Sequence, residues 1–369
     1  VLENKFFRLA ADPSTGGLVS IVDKKTGQEL IDPKSDWTAG QLIRETLANG
    51  RDFDRDAFER EGLKNVKLQS GTAGPIWRSL QIRGELDGCA QSNGARVEFR
   101  LYEPQKRIEL HYAIRKLPLT RPEAIYVAFP FAWPDGQIVY EAQGGTVRPG
   151  HDQIPRSASD WQTIQGFLAI RSGPGQIVWG SDQAPLVQLG DLNLGKWQPV
   201  TQIERPHVFS WVMNNYWFTN FRATQEGEFK WSYYLTSSDD TSNTAATQFG
   251  WSSRVALIPR VLPPGRSNDA DLVRSIVEVD APNIALVSAY PARYSDGVVL
   301  HLRELDGERT TAHIALPASR ELLTTQELHV LEEPLAEPMR RQVFAPLETK
   351  FLRIVGQKGD AALSYRPRR

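Results

Sequence analysis

Cysteine is almost absent from this chain: Cys89 is the only one among 369 residues. That excludes an internal disulfide and a thiolate metal cluster, and slightly favours a cytoplasmic setting. The six histidines, His111, His151, His207, His301, His313 and His329, are scattered, with no HExxH and no Asp-x-His pair. No metal or other cofactor is therefore expected in this chain. The GxSxG, P-loop and GxGxxG patterns are also missing, which removes the common signatures of serine hydrolases and nucleotide enzymes. Charge of one sign is not in excess, with 43 Lys+Arg against 44 Asp+Glu and no like-charged block. A nucleic-acid or membrane-surface partner would need such a footprint. No apolar run reaches the length of a membrane span. The opening Val1-Leu2-Glu3-Asn4 is neither an initiator Met nor a signal peptide, and suggests a piece of something larger.

What the chain does have is alternation. Val97, Phe99 and Leu101 alternate with charged neighbours, as do Ile108, Leu110, Tyr112 and Ile114. Phe229, Trp231 and Tyr233, then Val298, Leu300 and Leu302, repeat the pattern. A period of two puts one face in a core and leaves the other wet, as in antiparallel sheets. Asp87-Gly88, Asp135-Gly136, Asp296-Gly297 and Asp306-Gly307 punctuate the strands as turns. Amphipathic helix is scarce, with short candidates only at 41–48 and 269–277. The expected fold class is all-β. The run from Ile258 to Ser267 carries three prolines and a glycine, which suits a junction and not a sheet interior. The expected domains are a large two-layer β domain over 1–262 and a small β-sandwich over 268–369.

Two segments carry recognisable binding chemistry. Asn214-Asn215-Tyr216-Trp217 runs through Phe218 and Thr219 to Asn220 and Phe221, interleaving flat apolar rings with neutral amides. A sugar offers an apolar CH face and a rim of hydroxyls, which such a segment can match. The plain alternative is a core strand whose amides brace turns. The second segment is the polar loop around Arg148, His151, Asp152, Gln153 and Arg156, riding between strands where binding groups often sit. Carboxylates are plentiful enough to form a glycosidase pair, but nothing in the sequence selects one.

The order of segments resembles the post-catalytic β region of glycoside hydrolase family 38, which contains the α-mannosidases. The likeness lies in Leu2-Glu3-Asn4-Lys5-Phe6-Phe7, in Gly17 to Leu30, in the Asp152–Arg156 loop and in Ala184-Pro185-Leu186. It continues in the Asn214 to Phe221 signature, and more loosely in Val330 to Glu333 and Thr349 to Arg353. The resemblance implies a large antiparallel supersandwich of the galactose-mutarotase type followed by a smaller β-sandwich. It also implies a preceding catalytic α/β barrel and helical bundle, the barrel holding zinc and an aspartate nucleophile, neither of which this chain displays. By the same resemblance the β region would scaffold the barrel and lend the substrate cleft an arginine. Arg156 is the nearest match, with Arg148 in reserve. The expected carbohydrate-binding set is Arg156, Asp152, Gln153, Asn214, Asn215, Tyr216, Trp217 and Asn220, clustered on one rim. The expected partners are a carbohydrate and a catalytic barrel in the same polypeptide. Two other readings stay open: a free-standing aldose-epimerase-like enzyme using His111 and Glu109, which share a strand face, and a non-catalytic carbohydrate-binding module.

Overall fold

The computed structural model describes residues 1–48, 58–91, 94–133, 135–157, 160–173, 175–194, 198–216, 220, 222–259, 275, 277–316 and 321–355. Two compact units emerge: Val1–Thr241 with Ala245–Ala256, and Ser242–Thr244 with Leu257–Arg369. Most of the Pro-rich junction read from the sequence lies outside the described residues, as does most of the 269–277 helix candidate.

The first unit is built on two large antiparallel sheets. One has nine strands in the order Gly145–Val147, Gln137–Ala142, Leu168–Ser172, Gly175–Ser181, Gly227–Ser238, Ile108–Lys116, Ala95–Tyr102, Trp77–Glu85 and Lys64–Ala73. The other has six: Gln162–Thr163, Leu186–Leu189, His207–Asn214, Glu123–Pro130, Leu42–Leu47 and Phe58–Glu61. A four-stranded sheet formed by the first 29 residues adds to the unit. Alternation dictates the packing: Val97, Phe99, Leu101, Leu110, Tyr112, Trp231 and Tyr233 all enter one apolar core. Phe129 of the six-stranded sheet meets Trp179 and Tyr233 of the nine-stranded sheet, with ring centroids 5.2 and 4.9 Å apart. Two tyrosine hydroxyls that enter this layer are partnered across it. The Tyr233 hydroxyl donates to Ser210 Oγ at 2.8 Å, and the Tyr112 hydroxyl to Gly40 O at 2.7 Å. Buried hydroxyls require such bonds.

The six-stranded sheet is covered on its other face too, by a second cluster with Ile43, Leu47, Tyr126, Trp211 and Tyr216. This corrects the expected helix at 41–48: Leu42–Leu47 is a strand, buried at every position. A strand covered on both faces loses its alternation, and its apolar positions 42, 43 and 47 then mimic a helical stripe. The one α-helix among the described residues is Asn243–Arg254, which the pattern reading missed. Its Ala246 packs with Phe167, Ala169 and Val178 of the nine-stranded sheet. Gly250 permits the close approach, since a Cβ there would fall 2.5 Å from Gly166 O.

The second unit pairs a three-stranded sheet (Glu278–Val279, Thr310–Ala315, Arg341–Phe344) with a four-stranded one (Ile284–Pro291, Val298–Glu304, Thr349–Ile354, Thr325–Leu328). Leu300, Leu302, Leu352 and Ile354 from one sheet meet Ala312, Ile314 and Phe344 from the other in a single small core. Two antiparallel sheets face to face make the chain all-β, as expected.

Candidate functional site

The face of the nine-stranded sheet that points away from the core carries a cavity of about 420 Å³. Its polar lining follows from register. Gln81, Glu98, His111 and Ser232 stand opposite one another on four neighbouring strands. The next outward-facing row aligns Arg100, Glu109 and Tyr234. His111 joins the two rows: Nδ1 lies 2.7 Å from Ser232 Oγ, and Nε2 lies 2.9 Å from Glu109 Oε2. Glu109 also accepts from the Tyr102 hydroxyl at 2.9 Å and from Arg107 Nε at 2.7 Å. Burial pushes the Glu109 carboxyl upward, but bonds from His111 and Tyr102 and the Arg107 charge outweigh it and hold the group below its usual range. The same pairing works on Tyr102, where burial and the adjacent Glu109 charge push the phenol up to about 12. Glu98 is likewise held low, because bonds from Arg100 and Ser79 outweigh its burial.

This cluster can bind hydroxyls but is poorly arranged to move protons on a substrate. Both His111 nitrogens are engaged, and Glu109 is 5% exposed with each oxygen occupied. An epimerase needs its acid and base on either side of a sugar carbon, whereas these two are bonded to each other.

The residues expected from sequence form two local networks. Arg148 N–H and Nε donate to Asp152 Oδ2 at 2.8 and 3.1 Å, and Arg148 Nη2 donates to Oδ1 at 2.9 Å. The arginine so placed holds the Asp152 carboxyl well below the ordinary carboxylate range. Gln153 accepts from Gly150 N–H at 3.0 Å and donates to Gln162 Oε1 at 2.8 Å. Asp152 and Gln153 thus fold the loop. Arg156 differs: its backbone φ is +66°, its side chain is exposed, and its N–H donates to Pro199 O at 2.9 Å. Left-handed backbone at a non-glycine residue is costly and often marks a functional position.

Within the Asn-aromatic segment, Asn215 and Tyr216 are buried. Asn215 is 8% exposed; its Oδ1 accepts from Glu123 N–H at 2.7 Å. Its Nδ2 donates to Leu119 O, Arg121 O and Ala223 O at 3.2, 3.1 and 2.9 Å. Tyr216 is 1% exposed and donates to Glu45 Oε1 at 2.7 Å. Asn214 Oδ1 accepts from Tyr216 N–H at 3.3 Å. Asn215 and Tyr216 thus satisfy buried backbone and a buried carboxylate, while Asn214 is half-buried. Asn220 is exposed, and Trp217 lies outside the described residues. Arg156 is tied to the segment that leads into the strand His207–Asn214, while Asn215 follows that strand. The described bonds of Asp152 and Gln153 include those to Arg148, Gly150 and Gln162, and those of Asn215 and Tyr216 include those to Leu119, Arg121, Glu123, Ala223 and Glu45.

Among the described residues no group of three or more His, Cys, Asp or Glu side chains is placed to hold a metal ion. The cavity was missed in the sequence reading because its residues come from four strands. The signal in the sequence is the alternating Glu109-Leu110-His111, which shows a pair on one strand face and not the row across four strands.

Residues 2–178 match the family model described as the glycosyl hydrolases family 38 C-terminal domain. Comparison with curated proteins gives no match. Among solved structures, an alpha-mannosidase from Enterococcus faecalis V583 is similar over 96% of this chain, at 15% identity and a TM-score of 0.70. A protein in the glycosyl hydrolase family 38 from Enterococcus faecalis is similar over 96%, at 14% identity and 0.70. The chain spans 42% and 43% of the lengths of those two structures. At such identities the likeness establishes the fold.

Proposed function

We propose, from the match of residues 2–178 to the C-terminal domain model of glycosyl hydrolase family 38, that the chain is the accessory β region of an α-mannosidase-like glycoside hydrolase. It would scaffold a catalytic barrel that holds the zinc, and contribute to carbohydrate binding. The observation that carries the reading is the 96% coverage of this chain by 42% of the alpha-mannosidase structure. A β region matched over nearly its whole length, within a longer enzyme, suits a supporting part.

For contact with sugar, the reading rests on Arg156 and Asn220 from the originally expected set. Both are exposed, and a guanidinium can grip a sugar oxygen with two parallel donors. The test is Arg156→Ala in the complete hydrolase, read by release of nitrophenol from an aryl α-mannoside and by thermal melting. The expected outcome is a loss of kcat/KM of about tenfold or more with Tm nearly unchanged. Equal loss of activity and stability would assign Arg156 to loop folding instead. The epimerase reading gains no support from the directly bonded Glu109 and His111.

A further inference from the structure

One row of the nine-stranded sheet is unlike its neighbours. Lys67 stands opposite Arg83, Arg83 opposite Arg96, Arg96 opposite Ala113, and Ala113 opposite Lys230. Residues directly opposite in a ladder share a face, so four cations project from one side of five consecutive strands. All four are exposed, and among the described residues none has an ion pair or hydrogen bond. Like charges placed opposite one another destabilise a sheet. Nearby carboxylates do not relieve them. Glu98 is bonded to Arg100 at 2.6 Å, Glu85 accepts from Asn65 at 3.0 Å, and Glu228 stands opposite Arg115 one row further on.

Ala113 is the one small residue in this row. The gap above it separates Arg96 from Lys230 by two strand spacings, roughly 10 Å. Arg83, Arg96, Ala113 and Lys230 all line the 420 Å³ cavity, together with Gln81, Ser232, His111 and the Glu98 carboxylate that Arg100 engages. Gln81 accepts from Gln69 through its carbonyl oxygen, which leaves its amide donors for another partner.

We propose that this face binds a tetrahedral oxyanion, a phosphate or sulfate group, seated over Ala113 between Arg96 and Lys230. A guanidinium matches such an anion with two parallel N–H donors, and a multivalent charge answers several cations at once. The ligand would supply the counter-charge that the fold itself omits. The cavity is bounded by four strands, which favours a small anion over an extended polyanion. The site stands on register and charge, and does not depend on the hydrolase reading.

The test is thermal melting and calorimetry of the 369-residue chain with inorganic phosphate or sulfate at about 10 mM, each against sodium chloride of matched ionic strength. Phosphate and sulfate should raise Tm saturably above the chloride control. Arg96→Gln and Lys230→Gln, both at exposed positions, should each weaken binding about fivefold or more. Ala113→Glu would place an internal carboxylate in the gap; it should raise Tm in phosphate-free buffer and abolish the phosphate response. Comparing phosphate with sulfate and with a phosphate monoester distinguishes the form of the anion. The proposal is overturned if phosphate does no more than chloride, or if the response survives Arg96→Gln and Lys230→Gln. A response confined to a long polyanion such as heparin would overturn it as well.

Discussion

Asn215→Ala should destabilise the first unit strongly, although sequence places this residue in a sugar-binding motif. The side chain serves four backbone groups: Glu123 N–H through Oδ1, and the carbonyls of Leu119, Arg121 and Ala223 through Nδ2. Removing it strands the Glu123 N–H in a buried place, at a cost of about 1–3 kcal/mol, and withdraws donors from three carbonyls. Glu123 also anchors charge: Arg44 Nε donates to it at 2.8 Å and Lys116 Nζ pairs with its other oxygen. Loosening its backbone would disturb both contacts. A loss of about 3 kcal/mol is expected overall, which for a unit of this size lowers Tm by roughly 6–12 °C. The assay is thermal unfolding followed by circular dichroism, with Asn215→Asp beside it. That variant keeps an acceptor for Glu123 but turns an oxygen toward three carbonyls, so it should melt no higher than the alanine variant. A shift in Tm below about 2 °C for Asn215→Ala, with sugar binding lost, would refute the reasoning and restore the residue to a ligand-facing role.

Two further outcomes follow from buried groups. The folded Glu109 carboxyl lies below its usual value of 4.5, so its contribution is complete above about pH 4.5 and is lost as pH falls through the lower folded value. Glu109→Gln should therefore lower Tm at pH 7 and flatten the decline of Tm between about pH 5 and pH 3, in a series of melts across that range. Burial pushes the Cys89 thiol up to about 11, so the native protein should resist a thiol reagent at neutral pH, while the denatured chain labels once; rapid labelling of the folded protein would contradict its burial.

How much of this was legible in the sequence depends on whether the relevant physics is local. The period-two runs at 97–101, 108–114 and 229–233 announced strands, and all enter one core. The error at 41–48 arose where tertiary cover on both faces erased the period. The helix Asn243–Arg254 has few large apolar residues and buries only Ala246, Thr247 and Gly250, so no apolar stripe signalled it. For the site, an Asn amide has the same donors and acceptor whether it meets a sugar hydroxyl or a buried carbonyl. Only the paths of the backbone at Leu119, Arg121 and Ala223 decide the matter for Asn215. The cationic row was invisible for a related reason: Lys67, Arg83, Arg96 and Lys230 are distant in sequence and meet only through strand register.

The proposed role of this chain is to support a catalytic barrel without supplying the chemistry itself. Its most direct test is nitrophenol release from 4-nitrophenyl α-mannoside by the purified 369-residue chain with added zinc, after circular dichroism has shown a folded β protein. The account predicts release indistinguishable from buffer. Sustained, zinc-dependent turnover that disappears on replacing one carboxylate would contradict it.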